Sequence, residues 1–176
     1  AMVRAGLSEQ AESALKSMLA RPEVQSSKGN TAVLRAVASR LPRRRNDIRG
    51  AIDYLELGLQ DAQTIAHTRL VPEYQGELSE LYRVSGNLSK AEDLARSAAA
   101  SAQAAGFIPL IPQLLHSLAQ IQIDQERYDE ADRTYVRAAA IQDMMIGNAD
   151  SALAKTALVK GASALYAKHF ALIAEH

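Results

Sequence analysis

The sequence contains no cysteine and no tryptophan, and only 5% of its residues are aromatic. Without cysteine the chain can form no disulfide, no thiolate nucleophile and no cysteine-ligated zinc site. No stretch approaches the roughly 18–20 apolar residues that a membrane-spanning helix needs, and the first residues do not resemble a signal peptide. These absences suit a protein of a reducing compartment, and we expect it to be cytoplasmic.

An excess of one charge is also missing, since 20 acidic residues balance 20 basic ones in a chain of 176 residues. A balanced chain has no bulk attraction to nucleic acid or to an anionic membrane. The apolar share of 48% and the charged share of 23% are typical of a folded domain. Alternating β-branched runs are absent and helix-forming residues dominate, which predicts an all-α fold.

Comparison of the sequence with itself reveals a repeat of forty residues. The repeat is carried by a column of alanines and by matched prolines and large apolar residues. Ala11, Ala51, Ala91 and Ala131 form the column, Pro72 aligns with Pro112, Leu78 with Leu118, and Leu81 with Ile121. Small residues at fixed positions let helix axes approach to about 8–10 Å, so the alanine column predicts close packing between neighbouring helices.

Each repeat has the pattern of a helix, a short turn and a second helix. The predicted helices, about eight in number, span 8–20, 31–41, 47–67, 72–85, 89–105, 109–125, 129–146 and 149–175. Pro72 and Pro112 are predicted to lie in the first turns of helices, where proline is favoured. Ser89 and Asp129 are predicted N-caps, and Gly106 and Gly147 are predicted to end helices. Pro42 is expected to end the second helix early.

The repeated residues resemble the tetratricopeptide repeat (TPR) family. The resemblance is carried by Leu78, Tyr82, Gly86, Leu88, Ala91 and Ala98, echoed by Leu118, Tyr128, Ala131, Tyr135 and Ala138. A unit of forty residues exceeds the usual length of about 34 and so resembles a long-helix variant. The resemblance implies a right-handed α-solenoid of stacked antiparallel helix pairs.

The domain organisation follows from the same repeat. We expect TPR-like units near 32–71, 72–111 and 112–151, preceded by a partial unit at 3–31, so that repeats occupy residues 1–150. Residues 151–176 are expected to form a terminal capping or connecting helix. This last segment is similar to the helix that precedes the caspase-like CHAT domain in bacterial proteins. Because the apolar run 170–174 lies at the chain end, we expect a fragment of a longer protein.

A candidate binding surface follows from the stacking of helix pairs. The first helix of each pair would line a concave groove, where positions recur every forty residues and mixed polar side chains can contact a bound segment. The candidate contacts are Arg40, Glu73, Glu80, Arg83, Gln113, His116, Gln120 and Lys160. The alternative is that these are solvent-facing residues of amphipathic helices whose surface pairs contribute under about 1 kcal/mol.

Signatures of catalysis are missing from the sequence. The histidines are scattered, no G-x-S-x-G motif occurs and the glycines stand singly, so we expect no catalytic, cofactor or metal site. The run Arg43, Arg44 and Arg45 is a candidate for a nucleic-acid contact, or a solvated turn at a helix end. A non-catalytic protein-interaction module is thus predicted; the alternatives are the regulatory region of a CHAT-type peptidase and part of a transcriptional regulator.

Overall fold

The computed structural model describes residues 2–175, so that Ala1 and His176 lie outside the described residues. Within 2–175 the regular structure is entirely helical. The helices are α1 (Met2–Leu19), α2 (Pro22–Gln25), α3 (Lys28–Arg44), α4 (Ile48–Thr64), α5 (Leu70–Val84), α6 (Leu88–Ala104), α7 (Ile111–Asp124), α8 (Tyr128–Gly147) and α9 (Ala152–Glu175), with a 3-10 turn at Ile108–Leu110 before α7. The eight predicted helices are therefore present, and the short helix α2 was not predicted.

Consecutive helices pack as hairpins that stack on one another. The pairs α3/α4, α5/α6 and α7/α8 make the most extensive contacts, and α4 against α5, α6 against α7 and α8 against α9 join successive pairs. Helix α5 also packs directly against α7, and α1 packs against α3. Contacts restricted to near neighbours along the chain define an α-solenoid, as the sequence predicted.

The alanine column forms the seams between these helices. Ala51, Ala91 and Ala131 are each fully buried, and the first belongs to one core cluster while the other two belong to the next. Ala11 is exposed instead. By the repeat, α1 corresponds to the second helices α4, α6 and α8, and within residues 2–175 no first helix precedes it to cover Ala11.

The turns repeat their backbone conformation at the same interval of forty residues. Between the two helices of a pair, Asn46, Gly86 and Glu126 have φ of 61°, 83° and 61°, and between pairs Ala66 and Gly106 have φ of 48° and 68°. A residue with positive φ commonly ends a helix because it turns the chain away from the helix axis. The period is thus present in the backbone even at positions that lack glycine.

Pro42 does not end its helix, and that prediction is wrong. Helix α3 continues to Arg44 with the buried Pro42 inside its last turn. Proline costs most in a helix interior because it removes one backbone hydrogen bond and crowds the preceding turn. Near this helix end the carbonyl of Pro42 still accepts hydrogen bonds from the N–H groups of Arg45 and Asp47, at 3.0 and 2.9 Å.

The predicted N-caps are also wrong, because α6 and α8 begin slightly earlier than expected. Asn87 caps α6 by accepting a hydrogen bond from the N–H of Lys90 at 3.2 Å, so that Ser89 lies already in the first turn. The cap position of α8 is Arg127, whose side chain makes no capping hydrogen bond, and Asp129 again lies within the helix. The prolines at 72 and 112 do occupy first turns, as predicted.

Candidate functional site

An open cleft of about 570 Å³ is lined by the first helices of three successive pairs. Six of the eight predicted groove residues surround it: Glu73, Glu80, Arg83, Gln113, His116 and Gln120. The remaining lining residues are Arg43, Gly76, Glu77, Leu110, Leu114 and Ser117. Helices α5 and α7 therefore supply most of the surface, and α3 contributes through Arg43.

The two other predicted residues do not line this cleft. Arg40 is exposed on α3, one turn before Arg43, and Lys160 is exposed on α9. Helix α9 packs against α8, so Lys160 lies outside the cleft although it occupies the position equivalent to Glu80 and Gln120. The repeat thus predicts the part of the groove formed by α5 and α7 better than its two ends.

Three glutamates of α5 form what we call the carboxylate row: Glu73, Glu77 and Glu80. Their spacing of four and three residues places them on one face of the helix. Each carboxylate accepts a hydrogen bond from an arginine: Glu73 from Arg69 at 2.8 Å, Glu77 from Arg43 at 3.5 Å and Glu80 from Arg83 at 2.8 Å. The cleft therefore presents paired charges of both signs.

Arg83 holds α5 and α7 together at one end of the cleft. Its guanidinium donates two hydrogen bonds to Glu80 and a third to Asp124 at the end of α7, all at 2.8 Å. The hydrogen bonds with Glu80 raise the pKa of Arg83, burial opposes them, and the bond with Asp124 adds to them. These contacts link the helices before any ligand binds, so the cleft is preformed.

His116 lies half-buried in the cleft wall, and its Nδ1 has no hydrogen-bond partner among the described residues. Burial lowers the pKa of His116, the positive charge of Lys168 lowers it further, and Glu80 acts in the opposite direction. Since an ordinary histidine already titrates near 6.5, this imidazole is neutral at pH 7. It can therefore offer a ligand a hydrogen-bonding ring without a charge.

Aromatic side chains support this wall from behind. The ring of Tyr135 on α8 lies 5.6 Å from that of His116 and 5.4 Å from that of His169, with which it is stacked. Gln120 donates a hydrogen bond to the Tyr135 hydroxyl, and His169 pairs with Asp132 at 2.7 Å. The amide group of Gln120 is thus already engaged in a hydrogen bond that links α7 to α8.

Sequence reasoning missed Glu77 and Ser117, which lie forty residues apart in α5 and α7. They form a further row of equivalent positions beside those already chosen. A helical face includes residues at spacings of three, four and seven, so Glu77 could have been found from its position between Glu73 and Glu80. Among the described residues, no cluster of three or more histidine, aspartate or glutamate side chains could hold a metal ion.

Comparison with solved structures identifies the fold as a TPR-like helical-repeat solenoid. The structure is similar to MamA, with 14% identity, a TM-score of 0.64, and coverage of 85% of this chain and 72% of that one. It is also similar to a kinesin-light-chain-type protein of nearly identical TPR-like repeats from Podosopora anserina, with 16% identity, a TM-score of 0.67, and coverage of 98% and 90%.

A third similar structure is BtubC (BKLC) from P. vanneervenii, with 18% identity and a TM-score of 0.64; the match covers 93% of this chain and 65% of that protein. No family model matches the chain, and no curated protein matches it in sequence. At these identities the likeness establishes the fold. The expected connection to a CHAT domain stays a prediction. Within residues 2–175, no helix combines the length and apolar character that a membrane span requires.

Proposed function

We propose that this chain is a non-catalytic, cytoplasmic protein-interaction module that binds a polypeptide segment in the cleft between α5 and α7. The observation that carries the proposal is the convergence of six polar positions, chosen from the repeat, on one preformed cleft. TPR-like repeats present such surfaces because stacked helix pairs leave one face of the array open. A receptor surface that is already ordered loses little conformational entropy when it binds.

The chemistry of the cleft suits a peptide. Carboxylates, guanidinium groups, an amide and a neutral imidazole can hydrogen-bond to main-chain and side-chain groups, while Leu110 and Leu114 provide apolar contact. Groove binding of an extended or helical segment uses this mixture of contacts and requires no covalent step. The predicted units near 32–71, 72–111 and 112–151, with the partial unit 3–31, are proposed as the scaffold.

The test selects peptides from a phage-displayed library of random segments about twelve residues long. Selected peptides are measured by fluorescence anisotropy against the parent chain, Gln113→Trp, which fills part of the cleft, and the matched control Gln60→Trp at an exposed position of α4. We expect Gln113→Trp to weaken binding at least about tenfold because its side chain clashes with the bound segment, and Gln60→Trp to leave binding unchanged. Equal affinity for the parent and Gln113→Trp, with both folded by circular dichroism, would refute binding in this cleft.

A further inference from the structure

The turns within successive helix pairs carry a gradient of charge. Residues 40–49 contain five arginines and one aspartate, residues 80–89 contain one arginine and one glutamate, and residues 120–129 contain one arginine and three acidic residues. The formal charges are therefore +4, 0 and −2. Each window spans the end of a first helix, the turn and the start of the second helix, so the gradient follows the equivalent edge of the stack.

The positive end of this gradient is only partly compensated. We call Arg40, Arg43, Arg44, Arg45 and Arg49 the arginine turn. Arg43 contacts Glu77 at 3.5 Å and Arg45 contacts Glu12 at 2.6 Å. The other three are exposed and form no ion pair with the described residues. The single aspartate of the turn, Asp47, is occupied in capping α4, where it accepts a hydrogen bond from the N–H of Gly50 at 2.9 Å.

Capping of α3 does not account for this cluster. Cations near a helix C-terminus are stabilising because they complement its terminal carbonyl groups. Here the carbonyl of Pro42 accepts hydrogen bonds from two backbone N–H groups, and that of Arg43 accepts one from the N–H of Asn46 at 3.1 Å. The backbone therefore already satisfies these carbonyls, and the exposed side chains of Arg40, Arg44 and Arg49 remain available for a ligand.

The arginine turn and the cleft are continuous because Arg43 belongs to both. We infer that the arginine turn binds acidic residues at one end of a polypeptide segment whose remainder lies in the cleft, an inference that rests on the proposed function. The segment lies with its acidic end toward α3 and with neutral or basic residues toward the end of α7. Carboxylate–guanidinium hydrogen bonds supply the recognition at the α3 end.

A nucleic acid fits this arrangement less well. Its phosphates are negative along the whole strand, so a strand that continued from the arginine turn would meet the carboxylate row and then the acidic turn at 120–129. The arginine turn also contains no aromatic residue on which bases could stack. A polypeptide can change its charge along its length and so match the observed gradient.

The experiment uses the peptides recovered by the library selection. Cleft-dependent peptides, defined by their loss of binding to Gln113→Trp, are expected to be enriched in aspartate and glutamate at one end. Their affinity is measured by fluorescence anisotropy for the parent, for Arg40→Gln/Arg44→Gln and for the charge-matched control Arg133→Gln/Arg137→Gln on α8. We expect about a tenfold loss in the first variant, reduced at high salt, and no loss in the control.

Several results would overturn the inference. Cleft-dependent peptides without acidic enrichment, or with equal affinity for the parent and Arg40→Gln/Arg44→Gln, would remove the arginine turn as a contact and leave the proposed function standing. The absence of any cleft-dependent peptide would reject both. Tighter binding of a single-stranded oligonucleotide than of an acidic peptide of equal charge would replace the inference with a nucleic-acid site.

Discussion

Glu126 and Asn46, two helical hairpins apart, share the same positive φ of 61°. Both occupy the turn inside a helix pair, where the middle pair has Gly86. Glycine tolerates this conformation because it has no Cβ, and asparagine because its short side chain can hydrogen-bond locally, whereas the Cβ of glutamate makes it costly by about 1–2 kcal/mol. The geometry of the repeat therefore imposes a strained conformation on Glu126.

Replacing this residue should stabilise the protein. We expect Glu126→Gly to raise the free energy of unfolding by about 1 kcal/mol, because glycine adopts positive φ without a steric penalty. Urea denaturation followed by circular dichroism measures the change. Glu126→Ala is the matched control, since it removes the side chain but keeps the Cβ; an equal gain in both variants would contradict an origin in backbone strain.

The carboxylate of Asp61 on α4 is buried against α3. It accepts a hydrogen bond from the Nζ of Lys28 at 2.9 Å and forms an ion pair with the guanidinium of Arg35. Its replacement by asparagine should lower the free energy of unfolding by about 3 kcal/mol, because it leaves a buried ionic contact incomplete. The same substitution at Asp53, which is exposed on the same helix, should change it by less than about 0.5 kcal/mol.

This contact also predicts a dependence on pH. Burial opposes ionisation of Asp61, but hydrogen bonds from Thr31 and Lys28 and the charge of Arg35 outweigh it and lower its pKa. The stabilisation is therefore complete above the unfolded value near 4 and is lost as the pH falls through the folded pKa. Urea titrations between about pH 6 and pH 3 should show the parent and Asp61→Asn converging; parallel curves would contradict this assignment.

His116 should make the protein less stable in mild acid. Burial lowers its pKa in the folded state, so the unfolded chain binds the proton more readily. Its contribution to stability is fully present above the unfolded pKa near 6.5 and declines as the pH falls below that value. Thermal unfolding at about pH 7.5 and 5.5 should show a smaller loss of stability in His116→Gln than in the parent. A direct check is an NMR titration, which should give an imidazole pKa below 6.5.

The alanine seam predicts a marked difference between two positions of α6. Ala91 is fully buried and Ala100 is exposed. Ala91→Leu should destabilise the protein by about 1–3 kcal/mol, because the added atoms overpack the contact between helices. Ala100→Leu should change stability by less than about 0.5 kcal/mol. The comparison uses chemical denaturation of both variants, and an Ala91→Leu protein as stable as its parent would contradict close packing at the seam.

Much of the candidate site was predictable because its residues follow the repeat. Glu73 and Gln113, or Glu80 and Gln120, occupy equivalent positions in α5 and α7, and equivalent positions face the same way when helix pairs stack. The first helix could not be assigned in this way. Ala11 matches the alanine column in sequence, but within residues 2–175 no first helix precedes α1 to pack on it, so Ala11 is exposed.

The sequence by itself determined the helical class, the period of forty residues and the faces that the first helices present, because helix propensity and apolar periodicity are local properties of the chain. Only the tertiary structure decided which of those faces converge. The bond between Arg83 and Asp124 joins residues 41 positions apart, and Arg43 rather than Arg40 reaches the cleft. Such relations depend on how far one helix pair is displaced against the next, which the packing of the whole array determines.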